Sequence, residues 1–302
     1  MSSDDLARAL AQPGRASTPY RDRYSPDRPL VLECFRPQGH DPDKPVVIVQ
    51  HGASRNGAEY CAAWIPAAER HGLLIVAIMF AKDAWPDAVT YNNGHVLDED
   101  GRIRPREVWS QAIPGRVFAL LREAGVTRRD KTYLWGHSAG GQFVHRLLAT
   151  QPHDIFEVVG AANSGWYTLP TLDLHYPDGL GGIGLTRDDV VRFLGYPLVI
   201  FPAIRTSTRR RRTFRGTTPR WRRGQTGLRA RNSTLTAGGR KPQSWACPAA
   251  GAAWSCRASR MRGCGCRPLP AIIGSAPGAN GARVNRWTSL VGNADLRFDA
   301  AV

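Results

Sequence analysis

A serine between glycines follows a short apolar run in the stretch TYLWGHSAGGQF, residues 132–143. The order Gly-x-Ser-x-Gly, placed between a strand pattern and a helix pattern, is typical of the sharp turn that exposes a nucleophilic serine. It predicts Ser138 as a nucleophile and the backbone N–H of Ala139 as a donor to the developing oxyanion. The alternative is an ordinary serine in a glycine-rich turn. The residues that shape the predicted turn are Gly136, His137 and Gly140.

The second oxyanion donor is expected in the loop that follows an earlier buried strand. The segment QHGASRNG, residues 50–57, has that position, and Gly52 allows its backbone to approach a ligand closely. We assign the donor to Gly52–Ser54, with Ala53 N–H as the leading candidate. The alternative is a plain strand-to-helix turn capped by Ser54 or Asn56, and His51 is expected to hold the loop.

Apolar runs and helical patterns alternate along the first two thirds of the chain. This alternation predicts an α/β fold, in which a mostly parallel sheet is doubly wound by helices. Strands are predicted at residues 30–37, 46–52, 73–80, 132–137, 155–165 and 197–201. Helices are predicted at 58–72, 105–125 and 139–151, with a short one before the last strand.

Charge divides the chain at about residue 200. The formal net charge of +16 arises almost entirely from the last third, which is rich in Arg, Gly, Pro and Ser and shows no strand or helix period. We therefore expect an N-terminal extension at residues 1–24, an incomplete α/β core at 25–200 and an aperiodic basic tail at 201–302.

The remaining composition excludes several classes of protein. The chain has six cysteines, of which only Cys34 and Cys61 precede the tail, so no disulfide scaffold is predicted. The N-terminus lacks the apolar segment of a secretory signal, and no run is long enough to span a membrane. These features predict a cytoplasmic protein. Cys256, Cys264 and Cys266 lack the paired spacing and the histidines of a zinc site, so no metal is predicted.

Four ordered stretches resemble the α/β-hydrolase superfamily, and more narrowly esterases similar to poly(3-hydroxyalkanoate) depolymerases. They are VQHGASRNGAEY, YNNGHVLDEDGRIRPREVWS, LWGHSAGGQFVHRLL and ANSGWYTLPTLD followed by YPDGLGGIGL. The resemblance covers about residues 25–200. It implies hydrolysis of a small or polymeric carboxylic ester by a Ser–acid–His triad, without metal or organic cofactor. Asn163, Trp166 and Tyr167 are expected to line the mouth of the site, although the two aromatic residues could instead be packing, and a lid is expected at 166–192.

The acid and the histidine of that triad are missing where the fold requires them. In such folds the order along the chain is Ser, then Asp or Glu, then His. The sequence has no acidic residue between Asp189 and Asp295 and no histidine after His175. The in-frame substitutes are poorly placed: His137 leaves the turn in another direction, and His145 is expected on the surface of the following helix. The others are His153, in a loop, and His175, in the expected lid.

A frameshift near residues 200–202 explains both the missing residues and the tail composition. Codons exist for Pro202–Thr206 that, read from the third base, encode Gly-Asp-Pro-Asp, and the same shift over Cys256–Met261 restores a histidine. We therefore expect the chain as written to be an impaired esterase.

One rival hypothesis is an α/β scaffold whose tail binds nucleic acid through Arg209–Arg212 and Trp221. Non-specific binding of the Arg-rich tail to phosphates remains open in either case. A second rival hypothesis is that the protein is a catalytically dead pseudoenzyme.

Overall fold

The computed structural model describes residues 1–151, 154–196 and 198–201. The predicted tail at 201–302 lies outside the described residues except for Phe201, as do His153 and the proposed frameshift. Seven strands form one sheet within the described ranges. Their bounds are β1 Gly14–Asp22, β2 Ser25–Arg36, β3 Val46–Gln50, β4 Leu74–Met79, β5 Thr132–His137, β6 Phe156–Ala162 and β7 Leu198–Phe201.

The sheet is mostly parallel, as the sequence predicts. Its strand order is β1-β2-β4-β3-β5-β6-β7. The strands β4, β3, β5, β6 and β7 run parallel to one another, whereas β2 is antiparallel to both β1 and β4. In this order β3 and β5 are neighbours, so the loops that leave their carboxyl ends meet at the same edge of the sheet.

Six α-helices cover the two faces of the sheet within the described residues. Their bounds are α1 Ser3–Ala9, α2 Gly57–Ala63, α3 Ile65–His71, α4 Ile113–Glu123, α5 Ala139–Thr150 and α6 Arg187–Leu194. The predicted helix at 58–72 is divided at Trp64, because Pro66 begins a second helix there. The helix predicted at 105–125 begins only at Ile113, after two short 3-10 turns.

The central strands are buried on both faces. Along β3, Val46 and Ile48 belong to the cluster on one face, and Val47 and Val49 belong to the cluster on the other. The first face packs against α1, α4 and α5, and the second packs against α2 and α3. Burial on both sides explains why these strands are continuous apolar runs and do not alternate with polar residues.

Residues 1–24, assigned to an extension from the sequence, contain strand β1, which joins the same sheet, and helix α1, whose Leu6 packs into the core. Strand β1 pairs with β2 from Gly14 to Asp22. Its burial alternates and only Tyr20 and Asp22 are buried, as is typical of an edge strand. The sequence signal is weak for this reason: β1 is predominantly polar.

Two long segments without regular strands lie beyond the carboxyl ends of β4 and β6. The first, residues 80–112, packs its buried side chains Trp85, Tyr91 and Trp109 into the fold. The second, residues 163–186, contains most of the range 166–192 in which a lid is expected, and it buries Tyr176 and Leu180. In the part of the chain that the structure describes, no helix is both long and apolar enough to cross a membrane.

Candidate active site

Ser138 is the single residue between β5 and α5, and its backbone is in the left-handed region, with φ 56° and ψ −117°. A side chain at Gly136 would overlap the carbonyl group of Gly140. Backbone strain of about 1–3 kcal/mol at a residue with a side chain persists only where the surrounding structure enforces it. Here the buried strand before Ser138 and the buried helix after it supply that constraint.

The loop after β3 lies directly against this turn. A Cβ added to Gly140 would overlap the Gln50 carbonyl and lie 2.7 Å from that of His51. A Cβ added to Gly52 would lie 3.7 Å from the Ser138 Cβ. The two glycines therefore allow the two loops to approach each other, and the predicted oxyanion segment is a neighbour of the serine.

Hydrogen bonds determine the direction of the peptide between Gly52 and Ala53. The Nε2 atom of His51 accepts from the Phe80 N–H at 2.9 Å, so the ring proton is on Nδ1. That Nδ1 donates to the Gly52 carbonyl at 2.9 Å, and the Arg55 N–H donates to the same oxygen at 3.2 Å. Because a trans peptide is planar, the Ala53 N–H points away from this carbonyl, and its direction is fixed as well.

Segment 80–112 braces the same loop through side chains. The Arg55 guanidinium donates to the carbonyls of Phe80, at 3.2 Å, and Asp87, at 3.0 Å, and lies 4.1 Å from the centre of the Tyr91 ring. The Tyr91 hydroxyl donates to the His51 carbonyl at 2.7 Å. Arg55 itself has φ 61°. These contacts confine a loop that contains a second left-handed residue.

Burial determines the protonation state of His51, which is fully buried. Burial lowers the pKa of His51 from 6.5 to about 4, because the charged ring would lose its hydration. His51 is therefore neutral at pH 7, which its acceptor role at Nε2 requires. The structure places His51 as a support of the loop, in agreement with the sequence interpretation.

His137 uses its ring to connect α2, β5 and the end of β6. Its Nδ1 lies 2.8 Å from the Tyr60 hydroxyl, and its Nε2 lies 3.1 Å from Nδ2 of Asn163. The ring also stacks on Trp135, with 6.2 Å between ring centres. Both ring nitrogens are therefore engaged by groups other than Ser138, and burial lowers the pKa of His137.

His145 is buried in the fold, with 1 % exposure, and the prediction that it lies on the helix surface is wrong. Its Nδ1 donates to the Gly141 carbonyl at 2.9 Å, and its Nε2 accepts from the Thr168 N–H at 3.0 Å. Burial lowers the pKa of His145 to about 3. The ring is buried because it accepts a hydrogen bond from the backbone of segment 163–186, and helical periodicity alone does not predict that contact. His175, in contrast, is exposed.

Trp166 and Tyr167, predicted at the site mouth, both contact α5. The Trp166 ring lies 5.2 Å from the guanidinium carbon of Arg146, and the Tyr167 ring centre lies 5.1 Å from that of His145. Asn163 is exposed at the end of β6, with φ 49°. Of these three residues, Asn163 contacts the Ser138 turn, through the ring of His137.

Several residues around the serine carry no sequence signal of their own, namely Arg55, Tyr60, Tyr91, Gln142 and Arg146. Each is an ordinary residue of a loop or helix in the sequence, and each acquires its contacts from a segment distant along the chain. In the described ranges, no group of three or more His, Cys, Asp or Glu residues could hold a metal ion. Nor does the Ser138 hydroxyl have a hydrogen-bond partner there.

No protein-family model and no curated protein sequence matches the chain. Solved structures do. The chain is 49% identical to the LpqC poly(3-hydroxybutyrate) depolymerase from Bordetella parapertussis, with a TM-score of 0.65, covering 66% of this chain and 69% of that one. It is 34% identical to poly(aspartic acid) hydrolase-1 from Sphingomonas sp. KT-1, with a TM-score of 0.59, covering 63% of this chain and 71% of that one.

The identity and coverage of these two matches are sufficient to assign a family. The mostly parallel sheet with helices on both faces confirms the predicted fold class. One relative is named a depolymerase of poly(3-hydroxybutyrate), a polyester, in agreement with the ester hydrolysis that the resemblance implies, and the other is named a hydrolase of poly(aspartic acid). This chain belongs to the α/β-hydrolases that resemble poly(3-hydroxyalkanoate) depolymerases.

Proposed function

We propose that the protein is a serine hydrolase of carboxylic esters and that Ser138 is its nucleophile. The observation that carries this proposal is the left-handed Ser138 between β5 and α5, beside the Gly52–Ala53 peptide. A serine in this position presents its hydroxyl at the carboxyl edge of the sheet, next to the N-terminus of a helix. The family supports an ester as substrate, either a small molecule or a polymer.

The oxyanion would be stabilised by backbone N–H groups. When the Ser138 oxygen attacks the acyl carbon, the carbonyl oxygen becomes negative, and the N–H of Ala139 and that of Ala53 would donate to it. Gly52 serves this arrangement by having no side chain where the substrate and Tyr60 approach. Such donors act without reorganisation because they are held before the reaction begins, and each contributes about 3–4 kcal/mol in related sites.

The proposed mechanism lacks an identified base for proton transfer. The attack needs a base to accept the serine proton and to return it to the leaving alcohol. His51, His137 and His145 all have both ring nitrogens engaged by groups other than Ser138. The sequence has no histidine after His175. We therefore propose that this chain hydrolyses esters at a rate several orders of magnitude below that of an enzyme with a complete triad.

The test combines covalent labelling with turnover in the full chain. We expect a fluorophosphonate probe to label the folded protein slowly and p-nitrophenyl butyrate to be hydrolysed only slightly above background. Ser138→Ala should abolish both signals, whereas the matched control Ser17→Ala, at an exposed serine of β1, should change neither.

Two outcomes would contradict parts of this proposal. Rapid turnover that disappears in Ser138→Ala would confirm the nucleophile and overturn the impairment. A folded protein with no labelling at all would overturn the nucleophile and favour a non-catalytic scaffold.

A further inference from the structure

Gln142 lies one helical turn after Ser138 on α5, and its backbone N–H donates to the Ser138 carbonyl at 3.1 Å. Its side-chain oxygen Oε1 accepts a hydrogen bond from Nδ2 of Asn92 at 2.8 Å. The Nη1 atom of Arg146 also approaches Oε1, at 3.5 Å. The amide of Gln142 is thus held by a neighbour on α5 and by a residue of segment 80–112.

Arg146 decides which way this amide is oriented. Two amides alone could exchange donor and acceptor, but a guanidinium can only donate. Arg146 is fully buried and anchored: Nη1 donates to the Asn92 carbonyl and to Oδ1 of Asn93, and Nε donates to the Thr168 hydroxyl, each at 2.8 Å. Placing Nε2 of Gln142 toward this group would oppose donor to donor, so Oε1 must face it.

The amide nitrogen of Gln142 is therefore directed to the other side, toward the segment that follows β6. A Cβ added to Gly165 would lie 3.2 Å from Nε2, and Gly165 is exposed. Within the described ranges Nε2 donates no hydrogen bond, although Gln142 as a whole is only 9% exposed. The result is an oriented donor with an unused capacity, next to an exposed glycine.

We propose that Nε2 of Gln142 donates to a second acceptor oxygen of the ester substrate and so determines specificity. The four residues from Ser138 to Gln142 correspond to a rise of about 6 Å along α5. An ester whose alcohol part carries another carbonyl, as in an ester of a hydroxy acid, has an acceptor at about that distance from the scissile carbonyl. This inference rests on the proposed function, because it uses Ser138 as the position of the reacting ester.

The test measures equilibrium binding in a Ser138→Ala background, where no turnover interferes. Two ligands are compared: methyl 3-(butanoyloxy)butanoate and hexan-2-yl butanoate, in which methylene groups replace the second carbonyl and its neighbouring oxygen. The variant Gln142→Glu keeps the side-chain size and the acceptor facing Asn92 and Arg146, and it replaces the amide donor by a negatively charged carboxylate oxygen. Calorimetric titration should show about 3–10-fold weaker binding of the diester, the range expected for one hydrogen bond, and unchanged binding of the monoester.

A second variant covers the donor and leaves it in place. The added methyl group of Gly165→Ala presses on Nε2 and should also weaken the diester selectively. Equal effects on both ligands, or no effect on the diester in either variant, would overturn the role of Gln142 while leaving the ester site intact. Failure of the parent chain to bind either ester would overturn the proposed function and this inference together.

Discussion

The two sides of Ser138 are supported very differently. On the side of the proposed oxyanion donors, residues 51–55 are connected to segment 80–112 by His51, Arg55 and Tyr91, so that the Gly52–Ala53 peptide has one orientation. On the side where the proposed mechanism needs a base, after β6 and β7, the described residues present Asn163 and no histidine directed at the serine. Among the described residues, the first side is held by several hydrogen bonds, and the second presents no histidine to the serine.

This difference follows from the kind of group that each side needs. An oxyanion donor is a backbone N–H, which every residue except proline supplies, so a correct turn is enough to provide it. A base must be a particular side chain delivered from a distant part of the chain. In the proposed mechanism, the absence of the distant histidine would therefore remove proton transfer without disturbing the loop beside Ser138.

The largest expected effect comes from a substitution that separates the Ser138 turn from the loop at residues 51–55. Gly140→Ala would place a methyl group into the carbonyl of Gln50, where backbone and not a flexible side chain must move. We expect a loss of about 3 kcal/mol or more in the free energy of unfolding, measured by denaturant titration. The matched control is Gly39→Ala, since a Cβ at Gly39 would meet nothing within 4 Å. Equal stability of the two variants would show that the two loops are not in close contact.

An intermediate effect concerns pH and the support of the oxyanion loop. Because burial depresses the pKa of His51 from 6.5 to about 4, the unfolded chain binds this proton more readily than the folded one. The stabilisation from neutral His51 is complete above about pH 6.5 and is lost as the pH falls toward 4, by at most about 3 kcal/mol.

Denaturant titrations between pH 7 and pH 4 would measure this dependence. His145 acts in the same direction, so some dependence should persist in His51→Gln, but its slope should be smaller than that of the parent chain. An unchanged slope in His51→Gln would mean that protonation of this ring does not limit the loop.

The smallest expected effect concerns Asn163, on the side of Ser138 that follows β6. Asn163 has φ 49°, a conformation that costs about 1 kcal/mol for alanine and little for glycine. Asn163→Ala should therefore destabilise the fold by about 1 kcal/mol, whereas Asn163→Gly should remain within about 0.5 kcal/mol of the parent in thermal unfolding. If both variants lose the same stability, the hydrogen bond from Asn163 to His137 contributes more to stability than the backbone conformation of Asn163. In that case the side after β6 is more tightly held than we infer.

Much of the fold was predictable from local patterns. The buried strands β3, β4 and β5 are continuous apolar runs, and Gly72, whose φ is 68°, ends α3 as expected. Strand β1 escaped prediction because an edge strand is only half buried and carries no apolar period. The division of the helix at Trp64 was missed because proline is tolerated at the start of a helix, so it marks a new beginning as readily as an end.

The sequence by itself determined the Ser138 turn and the missing histidine, since both depend on residue types at fixed spacing. Only the tertiary structure decided that His51 is neutral and supports the Ala53 peptide, that His145 is buried, and that Gln142 presents its amide nitrogen. Each of these depends on a partner far away in sequence: Phe80 for His51, Thr168 for His145 and Asn92 for Gln142. Hydrogen bonds between distant segments form only when the sheet order brings those segments together, and no local pattern encodes them.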